Sequence, residues 1–147
     1  MTRDAGPPVE VRAAIPGAPR GDRVRRLLRK ASRLAPGKNA AREISVYFCG
    51  DRRMRTLNRR FRRKDRPTDV LAFPAGAGGP LLGDIVVSVP YASREARRRR
   101  EPLAAELDRL LVHGYLHLLG YDHETDEGQM DALEARLRRR LGITERA

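Results

Sequence analysis

The sequence predicts an α+β fold: a single domain over residues 1–147, with one mixed sheet of about four strands packed with about five helices. Four short segments carry the alternating or branched pattern of strands, and five longer ones space apolar residues three and four apart, as helices do. The two kinds of segment do not alternate strictly, which disfavours an all-parallel α/β sheet. The chain has 147 residues, 40% of them hydrophobic, and that is enough for one core without covalent staples. Only 5% are aromatic and there is no Trp, so Leu, Val, Ile and Ala must fill that core.

Residues 1–8 lack the apolar stretch of a signal peptide and read as a disordered tail. Val9, Val11, Ala13 and Ile15 alternate as in a half-buried strand, which residues 16–21 break. Asp22 is placed to cap a helix that buries Val24, Leu27, Leu28, Ala31 and Leu34, and Pro36 and Gly37 end it. Residues 44–48 are rich in branched and aromatic side chains, hence a strand. A short helix then starts at Asp51 with Met54, Leu57 and Phe61 on its buried side. The polar turn 64–69 leads to a strand at 70–73, closed by Pro74, and residues 76–80 form a flexible loop. Residues 84–89 are the strongest strand, with Asp84 expected to fix the loop at its start and Pro90 to stop it. A basic helix at 91–100 precedes a long one at 103–119, which Gly120 terminates. The last helix, 126–141, turns Met130, Leu133, Leu137 and Leu141 inward and ends at Gly142. No repeat or low-complexity linker divides the chain.

Composition narrows the functional classes. The longest apolar run falls short of the ~18 to 20 residues of a membrane span. Cys49 is the only cysteine, so no intrachain disulfide forms and a reducing cytoplasm is the expected setting. The net charge of +12 makes a polyanion, above all nucleic acid, the leading partner. That signal is discounted: of 31 basic residues only Lys30, Lys38 and Lys64 are Lys, and an Arg bias also follows from genomic base composition.

The chemistry is concentrated in residues 113–123, which hold all three histidines of the chain. His113 and His117 are four apart and project from one helix face, so both can grip one ion. Gly120 can reverse the chain and return His123 as a third ligand. Three imidazoles with a fourth position left to water describe a catalytic zinc site, one Zn2+ per chain. The spacing is that of the metzincin peptidases, but their general-base Glu is Gly114 here, and glycine accepts no proton. Gly114 is expected instead to let the helix pack closely on the sheet. Two plainer readings compete: core histidines on an apolar helix, and a closed structural site with Cys49 as fourth ligand.

The segment 112–123, Val-His-Gly-Tyr-Leu-His-Leu-Leu-Gly-Tyr-Asp-His, resembles the signature of the bacterial YbeY family of metal-dependent endoribonucleases, or rRNA maturation factors. Residues 58–74 and 82–87 are similar to that family as well, and the likeness runs from about residue 9 to residue 143. The resemblance implies a zincin-like fold and a three-His zinc site. It also implies a single-strand-specific ribonuclease acting in 16S rRNA 3′-end maturation and ribosome quality control. RNA, the small ribosomal subunit and its assembly factors are the implied partners. By motif position, His113, His117 and His123 are the ligands, His113 and Arg62 are the catalytic residues, and Arg59, Arg63, Lys64 and Arg66 are expected to bind RNA. Phe61 and Ala72 stand where Tyr and Ser are common, which affects only a hydrogen bond near the cleft.

Arg62 supplies planar, bidentate donors that suit phosphate, and is expected to reach the cleft from the far side of the sheet edge. No residue announces itself as general base. Asp122, Asp69 and Glu106 are candidates, either as bases or as partners that orient a ligand. The competing functions are a metallopeptidase, which Gly114 disfavours, and a non-catalytic assembly factor whose zinc only stabilises the fold.

Overall fold

A computed structural model describes residues 6–35, 42–76, 78–122 and 124–143. Among them, four strands and five helices follow in the order β1 (Val9–Ala13), α1 (Gly21–Leu34), β2 (Glu43–Cys49), α2 (Asp51–Arg62), β3 (Val70–Pro74), β4 (Leu81–Ser88), α3 (Val89–Arg98), α4 (Leu103–Leu118) and α5 (Gln129–Leu141). The sheet order is β1-β2-β4-β3. β1, β2 and β4 run parallel, and β3 lies antiparallel to β4 at the edge. The expected α+β architecture with one mixed sheet is therefore what the chain adopts.

Successive strand residues point to opposite faces, and the two faces here are unequal. Ile44, Val46, Phe48, Ile85 and Val87 meet Val24 and Leu28 of α1, Leu111 and Leu116 of α4, and Met130 and Leu137 of α5 in the main core. The opposite face holds a small cluster: Cys49, Leu71 and Val86 beneath Met54 of α2. Fully burying a Leu, Ile or Phe is worth about 1.5–3 kcal/mol. Leu28, Ile44, Phe48, Ile85 and Leu116 are each essentially inaccessible, so the face under α1, α4 and α5 dominates stability.

α4 lies tight against the sheet because two glycines admit it. A Cβ on Gly114 would stand 2.8 Å from Ile85 Cγ2, and one on Gly83 would stand 2.6 Å from Leu118 Cδ2. The close-packing role expected of Gly114 is what the structure has.

Several local expectations are corrected. β1 ends at Ala13 rather than at residue 15. Asp22 does not cap α1: the helix begins at Gly21 after Arg20, and Asp22 pairs with the exposed Arg20 at 3.5 Å. Asp84 lies inside β4, which starts three residues earlier, so it fixes no loop. β4 runs straight into α3, where Ser88 Oγ accepts from the Tyr91 N–H and Pro90 fills the first turn. α5 begins at Gln129, not 126, and Asp126 serves it from outside by accepting from the Gly128 and Met130 N–H groups. Phe61 is 55% exposed because α2 covers only part of its face of the sheet. Of the tail expected over 1–8, residues 1–5 lie outside the described residues. Pro7 is buried and its carbonyl accepts from Arg29, while the Pro8 carbonyl accepts from Ile44. Pro36 and Gly37 also lie outside the described residues.

Candidate metal centre and its cleft

The helical spacing of α4 places His113 and His117 one turn apart with their rings edge to face, centroids 4.7 Å apart. Their Nε2 atoms face each other at 3.2 Å. α4 ends at Leu118, and Gly120 follows in the left-handed region at φ +103°, donating to the His117 carbonyl. The expected helix stop is thus at Gly120. His123 lies outside the described residues, and among those described no group of three His, Cys, Asp or Glu side chains is placed to hold an ion.

His113 is held from α5. Its Nδ1 lies 3.1 Å from Glu134 Oε1 and 3.3 Å from Oε2, and Arg138 donates to the same carboxylate at 3.1 Å. A carboxylate accepts only, so Nδ1 carries the proton in this contact and the Nε2 lone pair is left facing His117. Burial pushes the His113 imidazolium down, yet the hydrogen bond and charge of Glu134, helped by Asp69, outweigh it and hold the group above its ordinary value. Burial pushes Glu134 up, but the His113 hydrogen bond and the charges of His113 and Arg138 outweigh it and hold the carboxyl below its ordinary value. A His donating to a buried carboxylate is the arrangement that orients metal-ligating imidazoles and raises their basicity. Two ligands at about 2.0–2.1 Å on a tetrahedral ion stand roughly 3.3 Å apart. The 3.2 Å separation of the Nε2 pair, with one lone pair aimed into the gap, fits a zinc-like cation.

Glu134 was not among the residues singled out from the sequence. The signal was a carboxylate on the inward face of α5, between Leu133 and Leu137, with Arg138 four residues on. Its partner is 21 residues away, on another helix, and no local pattern joins the two.

Beside His113 lies a cavity of about 380 Å³ lined by Asp69, Arg99, Glu106, Arg109, Glu134 and Arg138, among others. Asp69, at the start of β3, is thereby brought to the histidine. Its Oδ1 accepts from the Val70 N–H at 2.7 Å, and burial raises its pKa against that bond. Glu106 is also brought to the cavity but does not orient His113. It is taken up by Arg99 at 3.3 Å and Arg109 at 2.7 Å, in a cluster that also joins Arg109 to Glu101. Asp122 accepts from the Glu124 N–H through its side chain and from Thr125 and Asp126 through its carbonyl, so it shapes the turn after α4.

Arg62 is exposed at the end of α2 and is not among the residues lining this cavity. Arg59, Arg63, Lys64 and Arg66 are exposed around it. Arg59 pairs with Asp65 at 3.7 Å, and Arg63 ends the helix in the left-handed region at φ +59°. Cys49 is buried on the opposite face of the sheet, under α2, which removes it as a fourth ligand.

A family model described as Endoribonuclease YbeY matches residues 19–142. A relative named Endoribonuclease YbeY from Anaeromyxobacter sp. strain Fw109-5 is 51% identical over 132 residues, covering 85% of this chain and 69% of the relative. One of the same name from Anaeromyxobacter dehalogenans is 48% identical over 132 residues, covering 85% and 68%. The solution structure of TM1509 from Thermotoga maritima superposes with a TM-score of 0.65 at 24% identity, over 90% of this chain and 88% of that one, a likeness of fold.

Proposed function

The chain belongs to the YbeY family of endoribonucleases, and from that premise we propose that it is a zinc-dependent, single-strand-specific endoribonuclease. Its proposed work is maturation of the 3′ end of 16S rRNA and ribosome quality control on the small ribosomal subunit, in the cytoplasm. The observation that carries the metal reading is the His113–His117 Nε2 pair at 3.2 Å, with His113 tethered to Glu134. His113, His117 and His123 would hold the ion. A bound zinc supplies a Lewis acid for a phosphoryl oxygen and lowers the pKa of water to about 7.

The remaining chemistry belongs to the side chains. Glu134 fixes the proton of His113 on Nδ1 and so aims its Nε2. Asp69 is half-buried in the cavity beside His113 with a raised pKa, which brings a carboxylate nearer the pH at which it exchanges protons efficiently as a general base. Arg99 and Arg138 give the cavity planar donors for phosphate oxygens. Arg62 and its basic neighbours would meet the RNA backbone from the end of α2, with strong salt dependence and little sequence preference. No helix among the described residues is long and apolar enough to cross a membrane.

The test compares the wild type with His113→Ala and Arg62→Glu on single-stranded RNA, with zinc content and circular dichroism measured in parallel. Cleavage should require His113, and Arg62→Glu should retain zinc while losing cleavage. Intact RNA with zinc-loaded wild type in every metal tried would transfer the reading to a non-catalytic assembly factor.

A further inference from the structure

The sheet face that carries α2 is only partly covered, and the uncovered part is a groove of about 560 Å³. Pairing places its residues in two cross-strand rows, Arg12 beside Tyr47 and Asp84 beside Phe73. α2 adds Arg53 and Phe61 along one side. Phe61 is the large hydrophobic side chain that stands exposed among the described residues, edge-on to Phe73 with centroids 5.1 Å apart. Arginines already lie over the aromatic faces: Arg12 is 5.3 Å from the Tyr47 ring and Arg60 is 5.4 Å from the Phe61 ring. The Asp84 side chain has no hydrogen-bond or ion-pair partner among the described residues, although it is half-buried in the groove. The segment 82–87 stood out in the sequence, and the metal centre on the other face makes no use of its aspartate.

We propose that this groove is a base-selective subsite that takes one unstacked nucleotide of single-stranded RNA, guanine in preference to uracil. The inference rests on the reading of the chain as an RNA-cleaving enzyme and adds a specificity determinant to it. Unpaired bases are recognised by stacking on aromatic rings and Arg planes and by hydrogen bonds to their edges. Tyr47, Phe61 and Phe73 offer the rings, and Arg12 and Arg53 offer positive charge for the flanking phosphates. The Asp84 carboxylate is an acceptor only. Guanine presents N1–H and N2–H side by side to its two oxygens, whereas uracil presents one N–H between two carbonyls that repel it. Charge favours a polyanion such as RNA over a basic partner: α2 carries six arginines over its twelve residues, with Asp51 its sole acid.

The experiment measures fluorescence anisotropy of the metal-loaded full chain with 2′-fluoro oligouridines of ten nucleotides, with or without one central guanine, their integrity checked on gels. Guanine should tighten binding about tenfold, the range expected for one well-read base. Asp84→Asn should bring the two oligonucleotides within about twofold, and Phe61→Ala should weaken both about tenfold through lost stacking. Crosslinking of a 6-thioguanosine oligonucleotide to Tyr47 or Phe61, mapped by mass spectrometry, gives a readout that does not depend on variants folding. Equal affinity of the wild type for both oligonucleotides, or unchanged binding by both variants, overturns the proposal and leaves the groove to a protein segment. Guanine preference in a wild type that cleaves no RNA would sustain the groove and sink the nuclease reading; cleavage without preference would do the reverse.

Discussion

His113 on α4 turns its Nδ1 toward the carboxylate of Glu134 on α5, 3.1 Å away, so one helix sets the tautomer of a histidine on another. Arg138 holds the same carboxylate from one turn further along α5. Orienting carboxylates of this kind, when removed, typically cost about 10–100-fold in metal affinity or activity. Glu134→Ala should show a loss of that size in zinc competition against a chelating dye. Glu134→Gln should lose less, because the amide oxygen still accepts from Nδ1. Equal losses in the two variants would mean that the carboxylate acts through charge and not by orientation.

Asp69 is expected to couple stability and activity in opposite directions. Burial raises its pKa in the fold. A carboxyl that binds its proton more tightly when folded favours the fold at low pH, and that contribution is lost as pH rises through the folded value. At pH 7 the ionised side chain is therefore a cost to the metal-free protein. Asp69→Asn should melt higher at pH 7 and converge with the wild type near pH 4, around the ordinary Asp value of about 3.9. About 1 kcal/mol corresponds to roughly 2–4 °C in a domain of this size. RNA cleavage by the same variant should fall. A melting point unchanged at pH 7 would remove burial as the controlling term.

The approach of α4 to the sheet can be tested at two residues. Gly114→Ala puts a methyl group 2.8 Å from Ile85 Cγ2 and should destabilise by about 1–3 kcal/mol. Ile85→Ala alone should cost about 2–5 kcal/mol by leaving a cavity. Together the two should cost clearly less than their sum, since each relieves the other. Denaturant titration of the four proteins decides it, and strict additivity would show that the helix shifts instead.

Cys49 should behave as an inert core thiol. Burial pushes its pKa up to about 11, so the thiolate needed for alkylation is scarce near neutrality. Iodoacetamide should modify it only in denaturant, and Cys49→Ser should leave zinc content unchanged. Loss of zinc in that variant would revive a structural site.

Much of this was legible because it is local. The four-residue spacing of His113 and His117, the helix stop at Gly120 and the missing base at Gly114 are all read within one segment. The mixed sheet followed from segment order and from branched residues such as Val86 and Val87. What escaped depends on packing between distant segments. Glu134 looks like any helical carboxylate until α5 lies against α4, and Glu106 faces the cavity but is taken by Arg99 and Arg109. Phe61 has helical spacing with Met54 and Leu57, yet it lies beyond the part of the sheet that α2 covers. Asp84 was misplaced because β4 starts at Leu81, earlier than its branched residues announce.

The contact between Gly114 and Ile85 also bounds what this scaffold can become. A glutamate at position 114 would restore the base that peptidases of this ligand spacing use, but its first carbon would stand 2.8 Å from Ile85 Cγ2 and force the buried isoleucine to shift. The sheet would have to lose bulk at position 85 in the same step, and that step removes core packing. Single substitutions therefore pass through unstable intermediates in either order. A laboratory selection for peptide hydrolysis on this framework would have to begin from a library that varies both positions at once.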